Sequence, residues 1–166
     1  MHYRWVTTIL LLCTVLATGC SSLKTPVRPD YPGADSVSTA DAAQLVGVWS
    51  VSDLNPYPGN EPQTTTIEYR DDGTVTGLVV PKGDGMEALG NLEFELTGNW
   101  VLDGDVLSHE NMTMKSTNGN AMGGLLSKIV NSRPAVSGQA NIYELSDTRI
   151  VMVGSDGAAM EYVRQQ

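Results

Sequence analysis

Cysteine is scarce and confined to one end: Cys13 and Cys20 are the only two among 166 residues. Residues 21–166 therefore offer no disulfide, no zinc-thiolate site and no nucleophilic thiol. A domain made from them relies on its hydrophobic core. Histidine is as sparse, with only His2 and His109, so no histidine-based metal cluster can form and no metal ion or cofactor is expected. Cations are few as well: ten Lys and Arg face nineteen Asp and Glu, a formal net charge of −9. Neutralising nucleic-acid phosphates needs clustered cations, which excludes a nucleic-acid partner. The longest apolar run, residues 5–16, is about twelve residues, too short to span a bilayer. Gly-x-Ser-x-Gly, phosphate-loop and dinucleotide fingerprints are missing, so the chain is expected not to be an enzyme and no catalytic residue is assigned.

What is present is alternation. Leu92, Phe94, Leu96, Gly98, Trp100 and Leu102 interleave with Glu93, Glu95, Thr97, Asn99, Val101 and Asp103. One face of such a strand is buried and the other wet, a segregation that helical periodicity does not produce. Shorter runs of the same kind occupy residues 46–53, 64–70, 74–80, 106–115, 140–146, 148–154 and 158–164. Asp71-Asp72-Gly73, Asp103-Gly104-Asp105, Ser146-Asp147 and Ser155-Asp156-Gly157 separate them as tight turns. About eight strands joined mostly by short turns predict an all-β, antiparallel up-and-down barrel, which closes to leave no free edge.

Two connections are longer. Residues 81–90 are glycine-rich, and residues 116–139 contain a short helix, expected over Ala121–Asn131, with Leu125, Leu126, Ile129 and Val130 on one face. Long loops in compact domains often carry function. The plainer expectation is a helix that caps the barrel or fills its mouth. A helical turn over residues 39–45, capped by Ser38 or Thr39, precedes the first strand. Residues 21–38 hold three prolines and no apolar period, and are read as a flexible tether reaching on the order of 25 Å.

The candidate chemistry is thin. His109 shares a strand face with Leu107, opposite Met112 and Met114, and is expected to face solvent or to be a satisfied histidine. Met112 and Met114, with Met86, Met122, Met152 and Met160, could offer thioethers to Cu(I). Without an accompanying histidine or cysteine pattern they read as gap-fillers in the core. The aspartates of the turns lack the ligand spacing of a calcium loop. Glu93 and Glu95 fall on the wet face of their strand, as solvated charge rather than an acid–base pair.

The chain start carries the first resemblance. Arg4, the apolar run and then Ala17-Thr18-Gly19-Cys20-Ser21-Ser22 resemble the signal and lipobox of bacterial lipoproteins. The resemblance implies a signal peptide over residues 1–19 and an acylated Cys20 heading a tether to residue 38. Removing residues 1–19 would leave 147 residues with nine cations against nineteen acids, a net charge of −10. Several acyl groups on Cys20 would hold the chain at a membrane, since one alone binds only marginally. Ser21 after the cysteine implies, by analogy, an outer-membrane destination facing the periplasm.

Residues 39–166 carry the second. Leu45-Val-Gly47-Val48-Trp49 resembles the Gly-x-Trp opening of the lipocalins and calycins. Ile67-Glu-Tyr-Arg-Asp-Asp-Gly73-Thr74-Val75, Gly98-Asn-Trp100 with Asp103-Gly104-Asp105, and Met160-Glu-Tyr162-Val-Arg164 resemble later segments of bacterial lipocalin-like domains, in the same order. The implied fold is a lipocalin-like barrel in which Arg164 stacks on the Trp49 indole to close the floor. The implied cavity is lined by Ile67, Tyr69, Val75, Val79, Phe94, Leu96, Met112, Tyr143 and Met160, with Gly77 and Gly98 leaving room on the inner faces. Its occupant would be a small hydrophobic or amphipathic molecule. The alternative is an envelope protein-interaction module, an inhibitor or assembly accessory, that uses the two long loops.

Overall fold

Alternating strands with short turns close on themselves in the computed structural model, which describes residues 27–59, 64–81, 92–119, 121–132 and 138–166. Cys20, the signal segment and residues 82–90 of the glycine-rich loop lie outside the described residues. Eight strands run in chain order: β1 (Gly47–Asp53), β2 (Thr64–Tyr69), β3 (Thr74–Val79), β4 (Phe94–Asp103), β5 (Val106–Ser116), β6 (Gly138–Leu145), β7 (Arg149–Gly154) and β8 (Ala159–Arg164). Each pairs antiparallel with the next, and β8 returns to β1 to complete a closed barrel. Two helices join them, α1 (Ala42–Leu45) before β1 and α2 (Ala121–Asn131) between β5 and β6.

The alternation read in residues 92–103 is the burial observed. Leu92, Phe94 and Trp100 are buried, whereas Glu95, Asn99, Val101 and Asp103 are exposed. Leu45, Trp49, Tyr69, Val75, Trp100, Leu107, Ile142, Ile150 and Met152 form the core. Each large apolar side chain removed from water there contributes about 1.5–3 kcal/mol.

The two ends of the barrel differ in construction. At the floor, β1 begins, β8 ends and the Asp-bearing turns sit. Trp49 is fully buried and its indole N–H donates to the Leu45 carbonyl at 2.7 Å. The Arg164 guanidinium lies 4.1 Å from the Trp49 ring centre. It donates to the carbonyls of Gln44 (2.6 Å), Val46 (2.8 Å) and Asp147 (2.6 Å), three acceptors at strand and helix ends that no ladder satisfies. Gly47 sits at φ 138°, and a Cβ there would collide with the Arg164 guanidinium, so only glycine admits the stack.

Three local expectations are corrected. The first helical turn begins at Ala42, not residue 39, because Asp41 and Gln44 form a capping box: Ala43 N donates to Asp41 Oδ1 at 2.9 Å and Asp41 N to Gln44 Oε1 at 3.3 Å. The segment read as tether is docked from Arg28 onward. Arg28 bonds both Asp53 carboxylate oxygens at 3.0 Å and lies over the Tyr57 ring, Tyr31 donates to Glu144, and Ser36 bonds the Tyr143 carbonyl. Ala40 N then reaches the Gly104 carbonyl, so this strap runs down the outer wall from mouth to floor. Thirdly, α2 does not bury its leucines. Its buried residues are Gly123 and Ser127, and Leu125 and Ile129 remain 52% and 41% exposed.

Two bulges change which residues face inward. Thr97 pairs with Thr113 but Asn99 with Glu110, so Gly98 opposes both Asn111 and Met112. Asn111 takes φ 53°, a left-handed conformation that asparagine tolerates better than most residues. In β6, Ile142 pairs with Met152 and Glu144 with Val151, leaving Tyr143 as the extra residue. A bulge inserts one residue and shifts the rest of the strand to the other face.

Candidate ligand cavity

The wall between β5 and β6 is closed only near the floor. Val106 to His109 pair with Gly138 to Asn141, while β5 continues to Ser116 with no strand on that side among the described residues. The freed edge is covered by α2. The Asn131 amide donates to the Met114 carbonyl at 2.9 Å and accepts from the Met114 N–H at 2.8 Å, in place of a strand's two ladder bonds.

A cavity of about 230 Å³ lies beside the last β5–β6 pair, lined by Ile67, Val75, Thr76, Gly77, Leu96, His109, Met112 and Gly138. Ile67 and Tyr69 on β2 alternate inward, as do Val75 and Gly77 on β3. The Thr76 hydroxyl turns outward to Glu68 at 3.3 Å, leaving the backbone of that residue at the lining. Two larger hollows, of about 340 and 560 Å³, lie outside the barrel. Glu68 and Glu95 line the first, and Lys115 and Lys128 the second, so neither is an apolar site.

His109 is the polar group of the cavity. The bulge at Asn111 brings it onto the same inner face as Met112, rather than the opposite one. Its Nε2 lies 2.8 Å from the Tyr69 hydroxyl, with the rings 5.7 Å apart. Tyr69 in turn meets Trp100 edge-on at 5.6 Å and approaches Tyr162 at 6.4 Å. Burial pushes the His109 imidazole down from its ordinary value, which keeps it neutral at pH 7. Burial also raises the Tyr69 hydroxyl, with the neighbouring Tyr162 adding to the effect, and it raises Tyr162. Both phenols stay protonated, and the neutral imidazole can pair with Tyr69 as donor or acceptor. Among the described residues, no carboxylate or ammonium lines the cavity.

Of the expected cavity residues, Ile67, Val75, Leu96 and Met112 line it. Tyr69 lies beneath, as part of the core, and Met160 packs half-buried against that core. Val79 and Phe94 pair with each other nearer the mouth, outside the lining. Tyr143 is corrected: the β6 bulge turns it to the outer wall, where its ring meets Tyr31 at 6.2 Å, and Ile142 faces inward instead. The room expected at Gly98 is filled by the Met112 thioether, whereas Gly77 does border the cavity. Sequence reasoning missed His109 and Gly138. Asn111, a residue suited to positive φ inside a strand, was the available signal for His109.

No protein-family model matches the sequence, and no curated protein matches it. Solved structures do resemble the barrel. A lipocalin-like protein from Bacteroides uniformis is 12% identical with a TM-score of 0.45, over 74% of this chain and 99% of that one. A protein from Bacteroides eggerthii is 15% identical with a TM-score of 0.43, over 73% and 99%. A redesigned β-barrel is 14% identical with a TM-score of 0.41, over 80% and 100%. At these scores the fold rests on the strand order itself: an all-antiparallel, eight-stranded closed β-barrel with a short helix in a long connection.

Proposed function

We propose that this chain is a non-catalytic, lipid-anchored protein of the bacterial envelope that holds a small, neutral, apolar molecule beneath the barrel mouth. One observation carries the ligand reading: the cavity of about 230 Å³ is lined by Ile67, Val75, Leu96 and Met112, and its only ionisable side chain among the described residues is a desolvated His109. Apolar walls with one convergent polar group are the usual composition of a small-molecule site. Size narrows the ligand. An engineered apolar cavity of about 150 Å³ holds benzene, so this one suits a monocyclic or small bicyclic ring, or a short chain with one hydroxyl. A long-chain fatty acid exceeds it. A carboxylate or ammonium would also lose its hydration without gaining a charge partner.

The anchor reading rests on Arg4, the apolar run and Ala17-Thr18-Gly19-Cys20 with Ser21. Metabolic labelling with palmitate tests it, with incorporation expected in the native chain and none in Cys20→Ala. Label retained in the variant contradicts it.

For the ligand, calorimetric titration with toluene, indole, octan-1-ol and hexadecanoate separates the sizes. Saturable binding of the first three and none of the last is expected. Leu96→Trp and Ile67→Phe, which fill the cavity, should each abolish binding while unfolding cooperatively. Equal binding by folded, filled variants would place the ligand elsewhere and end this reading.

A further inference from the structure

The exposed apolar side chains at the mouth end are oriented toward something. Val27, Leu54, Tyr57, Val80, Leu125 and Ile129 are all large, apolar and at least 37% exposed. All lie on the end where β1 runs into β2, β3 into β4 and β5 into β6. The α2 helix cannot turn its leucines inward. A Cβ on Gly123 would strike Ser116 at the end of β5, so only the glycine–serine face fits against the strand. Asn131 then pins the helix to Met114. The outward apolar face is therefore fixed by the packing. The helix also has no acidic residue, and Lys128 is its one charged side chain.

The floor end also exposes Val48, Val101 and Val163, but its turns carry more carboxylates. Asp41, Asp71, Asp72, Asp103, Asp105 and Asp147 cluster in its turns and cap. At the mouth, Asp53 is held by Arg28, Asp156 accepts from Ala158 N, and Glu93 and Glu95 stand at the start of β4, while Arg70, Arg149 and Arg164 stand at the floor end. With Lys128 and no acidic side chain, α2 itself would be accepted by an anionic surface.

The chain's own geometry selects the surface. Arg28 fixes the strap at the mouth through Asp53 and Asn55, so the exposed Val27 before it lies at that same end. Only six residues separate Val27 from Cys20, seven steps along the chain and a reach of at most about 25 Å when fully extended. We infer that the mouth end rests on a phospholipid bilayer, with Leu125 and Ile129 of α2 in the interface. The cavity then exchanges its ligand with the membrane rather than with water. The inference rests on the proposed acylation of Cys20. An apolar helical face with a flanking lysine is the arrangement of an interfacial helix, and it supplies a second attachment beside the acyl groups.

The test uses the full chain in vesicles of neutral and anionic phospholipid, with palmitate incorporation measured on the same samples. With Cys13 removed and Cys20 acylated, Leu125→Cys or Val101→Cys provides the only thiol for a nitroxide label. Val101 is an exposed wall residue near the floor. The expected result is a label at 125 that collides several-fold more with oxygen than with a water-soluble nickel chelate, and the reverse ratio at 101. Acylated protein with both labels equally open to the chelate overturns the mouth-down arrangement and leaves the anchor intact. A label at 125 shielded from both reagents indicates a protein partner instead and also overturns it. Chain without palmitate removes the anchor reading, and this inference with it.

Discussion

The two ends of one barrel are built on opposite rules. At the floor, every side chain named is spoken for: the Trp49 indole has its carbonyl, Arg164 has a ring and three carbonyls, and Gly47 leaves just the space they need. At the mouth, β5 and β6 part, a cavity opens and apolar side chains face outward. The difference separates stability from the proposed binding role. The floor holds the closed ring together, while the mouth has given up packing that a purely structural barrel would keep.

Substitutions can break that comparison. Trp49→Ala should have the largest effect, costing about 3–5 kcal/mol in urea unfolding, as for other buried aromatics. Arg164→Ala should come next at about 3 kcal/mol, because three carbonyls lose a charged donor and the cation–π contact goes. Arg149→Ala, which breaks ion pairs with Glu144 and Glu161 on the half-exposed outer wall, should cost under about 1 kcal/mol. Equal losses for the two arginines would refute the floor's special role.

At the mouth the sign reverses. A ring-sized neutral ligand at about 100 times its Kd should stabilise the native chain by about 2.7 kcal/mol and leave folded Ile67→Phe unchanged.

The pH dependence comes from His109, whose folded value is depressed by burial. Its stabilising contribution is complete above the unfolded value near 6.5 and is lost as pH falls from there through the folded value. Native stability should fall over that window by at most about 1.4 kcal/mol per pH unit, and His109→Gln should flatten it. Chemical denaturation at stepped pH gives the slope directly. The smallest effect belongs to Leu125→Ser and Ile129→Ser, each within about 0.5 kcal/mol of native, since these side chains pack on no core residue. A large loss there would mean that the mouth is structural after all.

Legibility in the sequence depended on how local each signal is. The strand of residues 92–103 could be read because six inward positions repeat without interruption. Trp49 and Arg164 could be paired only through the resemblance to the Gly-x-Trp opening of the calycins, which implied the stack; strand-face periodicity was merely compatible with it. The bulges broke the reading, since each changes face without any break in composition. The Asn111 bulge hid that His109 shares a face with Met112, which left its orientation open between solvent and a satisfied histidine, and the Tyr143 bulge sent an expected cavity residue to the outer wall. The docked strap was illegible for another reason: Arg28 finds Asp53 across 25 residues, and no periodicity records such a pairing. The facing of α2 was lost because Gly123 and Ser127 look like weak helix positions until a strand lies against them.

The central claim is that the mouth binds and the floor does not. Solution NMR tests it most directly, by titrating toluene into the native chain and observing the Met112 and Ile67 methyl groups beside the Trp49 indole N–H. Saturable shifts of Met112 and Ile67 with a stationary Trp49 signal are predicted. No saturable shift at either methyl, or shifts spread evenly to the floor, would contradict the account.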